Sequence, residues 1–233
     1  MSEEEANQEP IPAPRPSAVK ELLGRRRLAL ALAVLFVELA IFFLAASVPI
    51  NAVTQQALQS EAKNLSSASS SLGPTNLFVY IFSHNAAIAF GEMVPVVGGL
   101  LWVVSIYTTG QIVQAVALSQ GASGALYGFS LLLLPFTIVE LTAYTVAVSS
   151  GVMVIDAWRQ RRLRNEARVL VLEAGVVVAM LLVAAAMETV TILNPGLGVA
   201  LWIPTGITVV ILALVFVRAP STPDRGPAQE AVN

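Results

Sequence analysis

Three apolar stretches of the sequence each carry one titratable side chain near their middle: Glu38, His84 and Glu140. An ionisable group at the centre of a bilayer costs about 2.5–3.5 kcal/mol on insertion scales, so each of these needs a partner or a task. Two carboxyl groups and one imidazole at similar depth could bind a cation or relay protons. Asn85 beside His84 adds an amide, and so does Gln111, which shares a helix face with Gln114 three residues on. The candidate intramembrane polar site is therefore Glu38, His84, Asn85, Gln111 and Glu140. The same residues fit a structural reading, in which a protonated Glu bonds across helices or a Glu–His pair fixes register. Glu92, Glu173 and Glu188 fall near the ends of apolar stretches, where a carboxylate can reach the interface; Glu173 is placed to pair with Arg168.

Other chemistries find little support. The chain has no Cys and one His, which excludes thiolate chemistry and multi-histidine metal sites. Ser149-Ser150-Gly151 is the nearest approach to a serine nucleophile and sits at the end of an apolar stretch. His84 and Glu92, eight residues apart on one helix, stand about 12 Å apart, too far for an acid–base pair. No phosphate-binding glycine loop is present. The expectation is a non-enzymatic protein with no cofactor and no metal. A net charge of −2 gives no broad basic surface for nucleic acid.

The elements that must hold these residues are hydrophobic helices. Of 233 residues, 56% are hydrophobic and 12% charged, about half the charge of a soluble domain. The composition predicts an all-α, polytopic membrane bundle in the cell membrane. Apolar stretches at about 28–50, 77–91, 97–118, 125–150, 169–191 and 198–217 predict about six transmembrane helices. The second is short, and Pro135 predicts a kink in the fourth. Residues 51–76 read as a flexible, Ser-rich polar loop, and Asp156 to Arg168 as an Arg-rich loop. Residues 1–24, with Pro at alternate positions from Pro10 to Pro16, and 219–233 read as disordered tails around a domain at 25–218.

Charge predicts the topology. With the N-terminus inside, six spans place twelve of the thirteen Lys and Arg residues on the cytoplasmic side, leaving only Lys63 outside. Both termini are then cytoplasmic. The Arg159 to Arg168 loop is first a topology signal and a contact for the lipid bilayer, and second a docking point for membrane or cytoplasmic protein partners.

The stretch from the second to the fourth span resembles the stage II sporulation protein M family of integral membrane proteins. The resemblance lies in Phe82-Ser83-His84-Asn85-Ala86, in Tyr107-Thr108-Thr109-Gly110-Gln111, and above all in Pro135, Glu140 and Ala143 of the segment closing at Ser150-Gly151. Where the family shows Pro-His-Gly, this chain has Pro135-Phe136-Thr137, and His84 stands where the family shows the first residue of an Asn-Asn pair. If the family His and Glu act together, the imidazole here has moved from span four to span two. The resemblance implies a polytopic, non-enzymatic scaffold or assembly component; the polar site supports the alternative of a small transporter or permease subunit.

Overall fold

Residues 28–46 contain a single charge, Glu38, and are otherwise apolar on every side, the pattern of a helix surrounded by lipid and protein. In the computed structural model, which describes residue 22 and residues 24–206, this stretch lies in helix α1 (Arg25–Ser47). Its buried stripe, Val34, Glu38, Phe42, Ala45 and Ala46, recurs at helical spacing. Then follow α2 (Ala52–Ser70), α3 (Pro74–Glu92), α4 (Val97–Ser119), α5 (Gly124–Leu132), α6 (Pro135–Arg159) and α7 (Leu163–Leu193). A 3-10 turn at Pro195–Leu197 and helical residues 202–206 close the described chain, which contains no strand. The protein is all-α. By length and composition, α1, α4, α6 and the Glu166–Leu193 part of α7 can each cross a membrane.

Four boundaries differ from the sequence-based expectation. Residues 51–76 do not form a loop. Asn51 Oδ1 accepts the Thr54 N–H at 2.9 Å, an N-cap that starts α2, and Gln59 Nε2 anchors the helix on the Ala115 carbonyl at 3.0 Å. Nor does Pro135 kink a continuous helix. The helix stops at Leu132, and Pro135 opens α6, where its missing N–H leaves no bond unmade. The Arg-rich loop is only a turn, Gln160 to Arg162, between α6 and α7. There the Arg162 N–H reaches back to the Ala157 carbonyl at 2.9 Å and the Arg161 N–H to Trp158 at 3.1 Å, with Arg161 at φ 56°. The second apolar stretch is longer than expected: α3 has 19 residues, a length of roughly 28 Å. The predicted tails at residues 1–21 and 219–233, and the predicted sixth span beyond residue 206, lie outside the described residues.

Ion pairs fix the direction of the helices. Arg26 at the start of α1 meets Asp156 near the end of α6 at 2.8 Å, so α1 and α6 run antiparallel. Arg27 meets Glu173 at 2.6 Å and also Glu166, both in the first part of α7, so α1 and α7 run parallel. Leu77 and Ile81 pack on Ala185, whereas Ala89 and Met93 share a cluster with Val177, so α3 runs against α7. Arg25–Arg27, Arg159 and Arg161–Arg168 thus gather at one end of the bundle, called here the basic end. Small residues bring the helices close, as lipid-embedded packing requires. A Cβ at Gly110 would lie 2.6 Å from the Phe42 carbonyl oxygen and 2.7 Å from Ala45 Cβ, so α4 crosses α1 backbone to backbone.

Candidate functional site

The interruption between α5 and α6 has a cost. Breaking a helix leaves carbonyls without their N–H partners, and away from water these need substitutes. One is supplied by Trp202, whose indole N–H donates to the Leu133 carbonyl at 2.5 Å. Beside the break lies a cavity of about 360 Å³, the size of a small-molecule site. Its polar lining converges from four helices: His84 and Asn85 from α3, Ser105 and Thr109 from α4, Thr137, Glu140 and Tyr144 from α6, and Glu188 from α7. Phe42, Phe136 and Ile88 are among its apolar walls.

Within the cavity, Tyr144 donates its hydroxyl to Glu140 Oε1 at 2.9 Å, four residues back on α6, and so holds the carboxylate in place. Asn85 is buried. His84 is exposed at the edge, its ring stacked on Tyr80 at 6.4 Å between centroids. Glu188 faces the cavity from the same stripe of α7 as the buried Val177, Leu181 and Ala184.

Of the five residues singled out from sequence, the structure brings together His84, Asn85 and Glu140. Glu38 and Gln111 lie elsewhere. Glu38 is fully buried, accepting the Thr145 hydroxyl at 2.8 Å through Oε2. Its Oε1 lies near the indole N–H of Trp102, the two standing outside ideal hydrogen-bond geometry. Gln111 ties α4 to α1, donating to the Ala45 carbonyl at 3.2 Å. Glu188 and Tyr144 were missed. Glu173, expected to pair with Arg168, pairs instead with Arg27.

The candidate nucleophile segment is also accounted for. Ser150 donates to the Val146 carbonyl at 2.7 Å, and Ser149 lines a different recess, at the basic end, from the cavity that His84 lines. Among the described residues, no group of three or more His, Cys, Asp or Glu is arranged to hold a metal ion.

The model of the family described as Stage II sporulation protein M matches residues 29–191. That is well over half of the chain, and it takes in most of α1 through nearly all of α7. The chain belongs to the stage II sporulation protein M family. No curated protein and no solved structure matches it. Membership and the four long apolar helices together make it a helical membrane protein. Phe136 and Thr137 line the same cavity as His84 and Glu140.

Proposed function

We propose that the protein is a non-enzymatic, permease-like membrane component whose cavity takes a small organic cation, an amine or ammonium compound. One observation carries this reading: Glu140 and Glu188 reach the cavity from separate helices, among hydroxyl and amide groups and the aromatic walls Phe42, Phe136 and Tyr144. Two carboxylates supply the counter-charge, and aromatic faces favour a cation further. In this reading six spans cross the cell membrane with both termini cytoplasmic, α3 being the second span and α5 with α6 a single broken fourth. The parallel course of α1, α4 and α7 and the gathering of arginines at one end support it. The test is thermal unfolding of the purified protein with a small amine panel. Protection in the natural chain and its loss in Glu140→Gln are the expected results; no protection by any cation would count against the reading.

The second reading is a scaffold that docks partners at the basic end. It is favoured by the exposed segment around the α6–α7 turn, where Arg159 at the end of α6, Arg161 in the turn and Arg164 at the start of α7 lie next to Trp158, which is 68% exposed. Affinity purification in mild detergent tests it: a stable partner lost on replacing these three arginines by Gln is expected, and recovery of the protein alone would weigh against it.

A further inference from the structure

A second recess lies at the opposite end of the molecule from the broken helix. It is a groove of about 240 Å³ between α1, α6 and α7 at the basic end. Leu28, Val146 and Val176 form apolar walls, and Leu28, 60% exposed, carries the groove out onto the outer face of α1. Its polar floor is Arg27, Ser149 and Glu173, each more than nine-tenths buried.

The floor is unbalanced in hydrogen bonds, and the ion cluster it belongs to, which includes Glu166 outside the groove lining, is unbalanced in charge. Arg27 spends one guanidinium nitrogen on Glu173 Oε1 and another on Glu166, so a single cation faces two buried carboxylates. Glu173 Oε2 receives no hydrogen bond, and Ser149 Oγ has no partner either. Ser150 lies close to Glu173, but its one hydroxyl proton goes to the Val146 carbonyl at 2.7 Å, which leaves Glu173 Oε2 open to a further donor. A buried carboxylate oxygen and a buried hydroxyl left open at the floor of a groove ask for a compact cationic donor.

We propose that this groove binds the primary-ammonium headgroup of a membrane phospholipid, the ammonium donating to Glu173 Oε2 and Ser149 Oγ while the lipid's apolar part follows Leu28 and Val176 outward. A lipid, and not a free amine, fits because the walls are apolar and continuous with the bilayer-facing side of α1. The cluster of Arg27 with Glu173 and Glu166, the latter outside the groove lining, carries one positive and two negative charges and disfavours an anionic headgroup, and a trimethylammonium group has no N–H to donate. The site is independent of the Glu140 cavity.

The test uses full-length protein, purified in mild detergent and stripped of lipid. Binding of phosphatidylethanolamine, phosphatidylcholine and phosphatidylglycerol with identical acyl chains is read by native mass spectrometry. Phosphatidylethanolamine is expected to bind about tenfold more tightly than the other two, the worth of one or two charged hydrogen bonds. Glu173→Gln should erase that preference. Because this change also disturbs Arg27, Val176→Trp, which fills the groove and leaves the ion pairs intact, should abolish the tight adduct on its own. Glu140→Gln should leave the preference unchanged, which separates this site from the cavity. Equal binding of the three lipids, equal competition by free ethanolamine, or a preference that survives Val176→Trp would overturn the proposal.

Discussion

Thr145 and Glu38, on α6 and α1, are joined by a 2.8 Å hydrogen bond in the buried interior, one residue along from Tyr144, which holds Glu140 in the cavity. Adjacent residues of α6 thus sort two carboxyl groups into different surroundings. Thr145 faces a packed helix junction and Tyr144 an open recess. Thr145→Val keeps the shape and removes the donor, leaving a buried carboxyl oxygen unpaired. It is expected to destabilise the fold by about 1–3 kcal/mol, measured by unfolding in mixed micelles, without changing amine binding in the cavity.

Arg27 joins α1 to α7 through two buried carboxylates. Arg27→Ala leaves Glu166 and Glu173 buried without their counter-ion and should cost about 3–5 kcal/mol. Because the lost partner is what hurts, the triple change Arg27→Met, Glu166→Gln, Glu173→Gln should recover much of the loss in the same unfolding measurement.

Val96 connects α3 to α4 with φ 68° and ψ −60°, and the Val97 N–H bonds the Pro95 carbonyl at 2.8 Å across it. This is a tight γ-turn of the rare left-handed kind, at a β-branched residue that strongly disfavours it. Val96→Gly is expected to stabilise the protein by about 1 kcal/mol, read as a raised unfolding midpoint.

Topology can be read from single cysteines, since the natural chain has none. Glu61 on α2 and Gln160 in the α6–α7 turn are both exposed. In intact cells an impermeant thiol reagent should label Glu61→Cys and not Gln160→Cys. The reverse pattern would contradict the proposed orientation.

Sequence reached the helical class and the family because hydrophobic length and short motifs are local signals. It misjudged α2 because the Ser-rich composition of residues 51–76 reads locally as a loop, whereas the Asn51 cap together with the tertiary anchor of Gln59 on the Ala115 carbonyl holds the helix. It expected Glu38 in the cavity because depth alone does not tell which face of a helix points where. Glu188 was legible: it continues the stripe Val177, Leu181, Ala184 toward the interior, yet its nearness to Asn194-Pro195 made it look like an interfacial residue.

The cavity's carboxyl groups are Glu140 on α6 and Glu188 on α7. A protonated carboxyl cannot serve as counter-ion, so a bound amine competes with the proton. Its apparent affinity should rise with pH through the joint titration of the group.

The most direct measurement is calorimetric titration of putrescine, ethylamine and tetramethylammonium into the purified protein, alongside Glu140→Gln and Glu188→Gln. The cavity reading predicts saturable binding of at least one of these cations to the natural chain, weakened about tenfold or more in each variant by loss of a buried counter-charge. Absence of binding by all three, or equal binding to the natural chain and to both variants, would contradict it.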